Sequence, residues 1–189
     1  LNMSQHNDTV SIGIMKFTWN FGKGNTYNAV NPTQVFTDNA TKDTVYTIKL
    51  VAFSEHGCKD STTRNIRVFP KPLAQFAVSD TAGCGPLPVT FTNQSTPQDT
   101  GSINIMTFFW DLGNGLNSIN QNVNTQYISN PLATASYTAN LIATSEHGCK
   151  DTATQLIRAF PKPLVGFTAD KTQGCGPLAV QFTNTTQLG

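Results

Sequence analysis

The sequence predicts an all-β protein that is built as a tandem array of antiparallel β-sandwiches. Its clearest feature is an internal repeat: the heptapeptide SEHGCKD stands at 54–60 and again at 145–151, a period of 91 residues. When residues 1–98 are laid on residues 92–189 without a gap, 44 of the 98 positions are identical. A unit of this length is the size of a small domain and can bury its own core, unlike a solenoid repeat.

The second observation is strand periodicity. MKFTWNF (15–21) and MTFFWDL (106–112) place an apolar side chain at every second position, which predicts half-buried strands. Trp19 and Trp110 lie in phase with these apolar residues, so we assign both to the core. No stretch has convincing helical spacing. The other predicted strands are YTIKLVA from Tyr46, its counterpart from Tyr137, NIRVF (65–69), LAQFAV (73–78), PVTF (88–91) and AVQF (179–182).

The third observation is that turn-forming residues separate these stretches. FGKG and LGNG follow the two Trp strands, and HGCKD and GCGP interrupt each unit again. Glycine, proline and short polar residues in such clusters mark turns. Short strands at regular intervals, with two faces that need cover, are typical of an antiparallel β-sandwich.

Composition excludes several classes of function. Charged residues make up 12% of the chain and nearly cancel, to a net charge of +1. This leaves no basic patch for a nucleic-acid partner, and the apolar runs are too short for a membrane span. The given sequence begins with Leu1, and no stretch of it resembles a signal peptide. We therefore expect it to be an excerpt of a longer protein.

The four cysteines stand in two repeated contexts. Cys58 and Cys149 lie in HGCKD, and Cys84 and Cys175 lie in GCGPL. No CxxC pair or cysteine–histidine spacing of a metal site accompanies them, so we predict neither a metal nor another cofactor. Cysteines repeated once per domain, without catalytic partners, indicate disulfides and an oxidising, extracellular location.

The order of these elements resembles a known family. WNFGKG (19–24), WDLGNG (110–115) and NPTQVF (31–36), with the proline-led PKPLAQF and with PLPVTF, are similar to the signature of the PKD domain, an immunoglobulin-like sandwich. The cysteine-bearing variant resembles the repeats of long secreted surface adhesins of gliding Bacteroidetes, which are exported by type IX secretion.

The resemblance also implies domain boundaries. Residues 70–160 would form a complete unit, 1–69 the last five strands of a preceding unit, and 161–189 the first two strands of a following one. The linker is only FPKP. Its two prolines restrict the backbone, so we expect a stiff junction.

Two candidate ligand sites compete with structural interpretations. Some PKD domains bind calcium, and Asp111 would be a ligand, but Asn20, Lys23 and Asn114 replace the other acids of that pattern. We therefore favour a structural turn over a calcium site. The Trp residues could stack on a sugar, but their strand phase favours the core. No catalytic constellation occurs in both units, so we predict no enzymatic activity.

The disulfide pairing is left open by the sequence and narrowed by the resemblance. The sequence leaves three candidates: Cys58–Cys84 together with Cys149–Cys175, Cys84–Cys149 within one unit, and pairs with the cysteines of neighbouring units. In the resembled topology the first and last strands run side by side in the same direction, which would place HGCKD and GCGPL at opposite ends of a unit. The resemblance thus implies that all four cysteines pair with neighbouring units outside this segment.

A further pattern resembles the O-glycosylation sequon of exported Bacteroidetes proteins: Asp, then Ser or Thr, then a small apolar residue or Thr. Asp–Thr pairs are also common turn chemistry, which is the competing interpretation. The candidate hydroxyls are Thr9, Thr44, Ser61, Thr81 and Thr152.

These observations favour a structural spacer in a repetitive extracellular adhesin. Its partners would be neighbouring PKD-like units and, beyond them, other cell-surface or gliding-machinery proteins. The alternative function is a carbohydrate- or protein-binding accessory module of a secreted hydrolase. Fold analogy alone does not choose between them.

Overall fold

The structure is a computed structural model, and it describes residues 15–37, 42–98 and 105–187. In these ranges it contains fourteen β-strands and no helix. The chain divides into two compact units. Unit 1 comprises Leu1–Lys71 with Pro97–Asn104, and unit 2 comprises Pro72–Thr96 with Ile105–Gly189.

Unit 1 holds one antiparallel sheet with the strand order β2-β1-β3-β4. Phe21, Ile48 and Leu50 are its buried apolar side chains. The described residues of unit 1 contain four strands, and residues 32–36 pair with none of them. The strands are β1 (Lys16–Asn20), β2 (Thr26–Tyr27), β3 (Thr44–Phe53) and β4 (Lys59–Val68).

Unit 2 contains a five-stranded sheet in the order β6-β12-β11-β8-β9 and a three-stranded sheet in the order β10-β7-β5. A separate hairpin pairs β13 with β14. The strands are β5 (Phe76–Val78), β6 (Ala82–Cys84), β7 (Leu87–Asn93), β8 (Met106–Asp111), β9 (Asn117–Ser118), β10 (Val123–Tyr127), β11 (Ala135–Ser145), β12 (Lys150–Phe160), β13 (Phe167–Ala169) and β14 (Phe182–Asn184).

The two larger sheets of unit 2 enclose one hydrophobic core, which confirms the predicted all-β sandwich. Strand β7 buries alternate side chains, Leu87, Val89 and Phe91, and exposes those between them. The opposite sheet contributes Trp110 and Leu141, both fully buried. Period-2 alternation therefore places one face of each sheet in the core.

One stretch that the sequence predicted as a turn contains a strand. Residues 82–84 form β6, which pairs in parallel with β12, so that Cys84 lies opposite Phe160. Gly85 N also donates a hydrogen bond of 2.9 Å to the Phe160 carbonyl. The glycines and the proline of GCGP predicted a turn. The strand has three residues and no buried side chain, so its backbone pairing with β12 leaves no side-chain pattern to recognise.

Candidate functional site

The WDLGNG loop of unit 2 follows β8 and is held by its own polar side chains. The Asp111 carboxylate accepts a hydrogen bond of 3.0 Å from Gly113 N. Asn114 Oδ1 accepts from Leu116 N at 3.2 Å, and its amide nitrogen donates to the Gln126 carbonyl at 3.3 Å. The oxygen atoms that a cation would need are thus aimed at the loop's own backbone.

The equivalent loop of unit 1 makes two of these contacts with different residues. Asn20 Oδ1 accepts from Gly22 N at 2.8 Å, as Asp111 does in unit 2. Lys23 Nζ donates to the Val35 carbonyl at 3.3 Å, and Val35 is the repeat counterpart of Gln126. The Lys23 ammonium therefore takes the place of the Asn114 amide, and each donates to the carbonyl at the equivalent position of its own repeat. This arrangement favours a structural turn.

Both tryptophans donate to a backbone carbonyl at the equivalent position. Trp19 Nε1 bonds the Ala29 carbonyl and Trp110 Nε1 bonds the Asn120 carbonyl, each at 2.9 Å. Trp110 is fully buried, whereas Trp19 is only partly buried. A stacking platform for a sugar needs an exposed ring face, which Trp110 does not offer.

The tyrosines form a second repeated set of hydrogen bonds. The hydroxyl of Tyr46 donates to the Thr37 carbonyl at 2.9 Å, and that of Tyr137 donates to the Ile128 carbonyl at 2.6 Å. Both pairs are related by the repeat. A Tyr at this position in each unit is visible in the sequence, but its partner carbonyl is not, because no side-chain pattern marks a carbonyl.

Tyr127 has a strongly perturbed side chain. Its ring is fully buried, and its hydroxyl donates to the Leu112 carbonyl at 2.8 Å. Burial, with smaller contributions from the Asp111 carboxylate and Tyr137, raises the pKa of Tyr127 to about 12. The phenol is therefore a neutral donor within the core and has no exposed face on which to act as a base.

The cysteines are not brought together in unit 2. Cys84 lies opposite Phe160 at the last residue of β12, and Cys149 immediately precedes its first residue. Strand β12 has 11 residues; at roughly 3.3 Å per residue, the two Cα atoms are about 35 Å apart. A disulfide needs Cα atoms within about 7 Å. No disulfide joins any of the four cysteines.

The HGCKD turn is tied to the start of unit 2. Ser145 N bonds the Cys149 carbonyl at 2.9 Å, and the same bond joins Ser54 and Cys58 at 2.8 Å. Beyond the turn, Asp151 Oδ2 accepts a hydrogen bond of 2.8 Å from Ala74 N. The Asp of this motif therefore fastens the first segment of the unit to its last hairpin. Sequence reasoning missed this role and had singled out Asp151 only as part of a sequon.

The candidate glycosylation residues are spread over both units. Ser61 in β4, Thr81 just before β6 and Thr152 in β12 have exposed side chains, and Thr44 is partly buried. Thr9 lies outside the described residues. A modifying enzyme could therefore reach three of these hydroxyls without any change in the fold.

An apolar cavity of about 480 Å³ opens beside β1 in unit 1. Sequence reasoning had not singled it out. One of its residues, Phe17, is the repeat counterpart of Phe108, which packs against the core of unit 2. The lining residues are Met15, Lys16, Phe17, Thr18, Asn28, Ala29, Val30 and Phe53.

Within residues 15–37, 42–98 and 105–187, no group of three or more His, Cys, Asp or Glu side chains could hold a metal ion. In the same ranges no helix is long and apolar enough to cross a bilayer.

Comparison with known proteins finds one family and several solved structures that resemble parts of this chain. Residues 70–159 match the family described as PKD domain. The PKD1 domain of Vibrio anguillarum Epp is 24% identical, covers 49% of this chain and 96% of its own, and has a TM-score of 0.39. The PKD1 domain of the Vibrio cholerae metalloprotease PrtV is 29% identical, with 47% and 96% covered and a TM-score of 0.38.

Fibronectin(III)-like modules of Clostridium thermocellum CbhA are 13% identical, with 78% of this chain and 77% of theirs covered and a TM-score of 0.38. No curated protein matches the chain. Residues 70–159, which match the PKD domain family, thus contain the two sheets that enclose the core of unit 2.

Proposed function

We propose that this chain is a spacer segment of a repetitive extracellular surface protein. The observation that carries this proposal is that each repeat contains the same set of internal side-chain hydrogen bonds. The hydrogen bonds of Trp19 Nε1, Asn20 Oδ1 and the Tyr46 hydroxyl recur on the equivalent side-chain atoms 91 residues later. Loops whose polar atoms are used to hold the backbone support a mechanical role rather than a ligand site.

The length of the unit suits such a role. Strand β12 has 11 residues and runs from the HGCKD turn to the FPKP linker. At roughly 3.3 Å per residue this strand alone extends about 36 Å. Identical domains in series would therefore add reach in equal steps, and a proline-bearing linker would limit bending at each joint.

We propose more specifically that the larger molecule is a cell-surface adhesin of a gliding bacterium, exported by type IX secretion. The cysteine-flanked repeat supports this proposal. Its partners are then the neighbouring units and other surface or gliding-machinery proteins. Antibodies raised against residues 70–160 should label intact host cells along thin surface filaments. Signal only after the cells are lysed would contradict an extracellular role.

We also propose that the repeat units begin and end at the FPKP linkers, as 1–69, 70–160 and 161–189. The pairing of β13 with β14 supports this, because its register equals that of β5 with β7 after a shift of 91 residues. Limited proteolysis should cut at the two linkers first. Early cleavage inside 105–160 would contradict these boundaries.

The cysteines would link successive units. The distance of about 35 Å between Cys84 and Cys149 supports partners in neighbouring repeats, since the second FPKP linker begins beside Cys84 at the end of β12. Peptide mapping of the full-length native protein without reduction should join a GCGPL peptide to the HGCKD peptide of the following unit. A Cys84–Cys149 peptide would exclude this pairing.

Glycosylation is a separate proposal, supported by the exposure of Ser61, Thr81 and Thr152. Peptide masses of protein from the native host should show added sugar on at least one of the five candidate hydroxyls. Unmodified peptides that cover all five would end this proposal.

A further inference from the structure

Strand β12 runs from the HGCKD turn to the second FPKP linker in one extended stretch. Cys149 immediately precedes its first residue, and Phe160 is its last. With 11 residues at roughly 3.3 Å per residue, the strand spans about 36 Å. A polypeptide cannot exceed about 3.6 Å per residue. A force applied between Cys149 and Phe160 therefore lengthens this segment by only a few ångströms.

The first segment of repeat 70–160 covers nearly the same distance in the same direction. Ala74 N donates a hydrogen bond to the Asp151 carboxylate at the start of β12, and Cys84 lies opposite Phe160 at its end. Asp151 and Phe160 are nine residues apart on an extended strand, which is about 30 Å. Ala74 and Cys84 are ten residues apart and can span at most about 36 Å. This segment, too, is close to its full length.

The proposed cysteine pairing would place a cross-link at one end of each segment. It joins Cys84 to the HGCKD cysteine of the following repeat, and Cys149 to the GCGPL cysteine of the preceding repeat. The FPKP linkers, at 69–72 and 160–163, continue the chain at the other two ends. A cross-linked repeat thus has two covalent connections to each of its neighbours.

The linker is short enough for this pairing. Val165 is the repeat counterpart of Ala74 and follows Phe160 by five residues, which span at most about 18 Å. In repeat 70–160 the HGCKD turn is fastened to Ala74 through Asp151. The same bond in the following repeat would fasten its turn to Val165, within reach of Cys84 beside Phe160.

From these distances we infer that the cross-linked array carries force along two short covalent segments, 70–84 and 149–160, and that residues 85–148 lie outside the path of the force. The inference rests on the proposed pairing of cysteines between repeats. One line of force runs from the preceding linker to Cys84, and the other runs from Cys149 to the following linker. Residues 85–148, which contain most of the buried core, form a closed loop between the two lines.

The state of the cysteines then decides how far the array can stretch. With free thiols, force enters at residue 70 and leaves at residue 160, so unfolding releases the whole 91-residue period, about 330 Å of chain. The gain over the folded strand length is roughly 290 Å. With both cross-links present, the longer segment, 70–84, cannot exceed about 50 Å, and the gain is at most about 15 Å.

Each cross-link forms by thiol–disulfide exchange. Cys84 and its partner cysteine lose two protons and two electrons as their S–S bond forms, and an oxidant of the disulfide class is reduced to two thiols. Dithiothreitol reverses the reaction: its two thiols reduce the cross-link and end as a cyclic disulfide. The change in extensibility is therefore reversible.

The two lines of force lead to a prediction that is not additive. Cys84→Ser keeps the line through 149–160, and Cys149→Ser keeps the line through 70–84. Either variant alone should therefore stretch no further than the unmodified protein. The double variant loses both lines in this repeat, while each neighbouring repeat keeps one, so only repeat 70–160 should become extensible.

The test is single-molecule force spectroscopy on the full-length native protein and these three variants, without reductant. Relative to the unmodified protein, the single variants should gain no length, and the double variant should gain one step of roughly 290 Å. Dithiothreitol should add a series of such steps in all four proteins. Each single variant is the matched control for the double variant.

An unmodified protein whose steps do not change on reduction would overturn the inference. So would a gain of this length in a single variant, or a double variant of unchanged total length. The comparison holds even if the double variant does not fold, because its extra length is released in either case.

Peptide mapping of the same unreduced samples separates this inference from the proposal on which it rests. Long steps in a protein whose linked peptides are present would refute the path of the force alone. Missing linked peptides would refute the cysteine pairing as well.

Discussion

At the scale of single residues, comparing equivalent positions of the two repeats shows which side chains have a structural role. Lys23 and Asn114 have different chemistry, yet each donates to the equivalent carbonyl, at Val35 and Gln126. A ligand site would require the chemistry of the side chain to be kept. Here only the hydrogen bond to the backbone carbonyl is kept, which indicates that this side chain holds the loop in place.

The two glycines of the WDLGNG loop allow a matched stability test. Both have positive φ, 72° at Gly113 and 86° at Gly115. A Cβ on Gly113 would lie 2.4 Å from the Thr138 carbonyl oxygen, whereas one on Gly115 meets nothing within 4 Å. We expect Gly115→Ala to lower the free energy of unfolding by about 1 kcal/mol and Gly113→Ala by on the order of 3 kcal/mol. Urea denaturation measures both, and equal losses would contradict the clash.

Tyr127 should make the domain sensitive to alkaline pH. Its pKa is raised from 10.0 to about 12 in the folded protein. Between these values the unfolded chain loses the phenol proton and the folded protein keeps it, so the free energy of unfolding falls as pH rises, by at most about 1.4 kcal/mol per pH unit. Below pH 10 the group contributes no slope.

Tyr127→Phe should remove this slope and, at neutral pH, cost about 1 kcal/mol or more, because the buried Leu112 carbonyl loses its donor. Denaturant titrations from pH 8 to pH 11 measure both effects. The control is Tyr27→Phe, whose side chain is 43% exposed. An unchanged pH slope in Tyr127→Phe would show that another group titrates.

At the scale of elements, side-chain periodicity predicted the strands that bury one face. β7 and β11 alternate as expected, and Leu87 and Leu141 lie in the core. The predicted strand at 73–78 is shorter in the structure: β5 covers Phe76–Val78, and Leu73 forms only an isolated bridge. Strand β6 escaped prediction because it has only three residues and buries none of their side chains. Tertiary hydrogen bonds of this kind leave no periodic signal in the sequence.

The hydrogen bond from Ala74 N to Asp151 joins the segment before β5 to β12, and its contribution to stability can be measured. Asp151→Ala leaves a partly buried N–H without its acceptor, which should cost about 1 kcal/mol. Hydrogen exchange at the Ala74 amide should accelerate at least tenfold. Thr152→Ala, at the exposed neighbour of Asp151, is the control and should leave both quantities nearly unchanged. Equal hydrogen-exchange rates at the Ala74 amide in the two variants would show that the Asp151 carboxylate does not protect it.

At the scale of the whole molecule, two units of related sequence bury their cores to different extents. Trp110 is fully buried, whereas Trp19 is partly exposed, although both follow the same strand alternation. Strand phase predicts which face of a sheet a side chain occupies. Whether that face is covered depends on a second sheet, and the described residues of unit 1 contain none.

Single-tryptophan proteins should report this difference. In Trp19→Phe the remaining Trp110 should emit at shorter wavelength and resist acrylamide quenching, and its signal should be lost at the higher denaturant concentration. In Trp110→Phe the remaining Trp19 should be quenched several-fold more strongly. The measurements are made at micromolar concentration, where contacts between molecules are rare. Equal quenching of the two residues would contradict the difference in burial.

The parallel pairing of β6 with β12 has a consequence for a molecule under tension. Tension on residues 70–160 enters through the segment that leads to Ala82 and leaves through Phe160, so it draws two parallel strands along each other in opposite directions. The bonds from Arg158 N to the Thr81 carbonyl and from Gly85 N to the Phe160 carbonyl then bear load together, in shear, rather than opening one after another. Since forced unfolding is governed by the rate of the first rupture, a patch only a few residues long would set the mechanical strength of the whole unit.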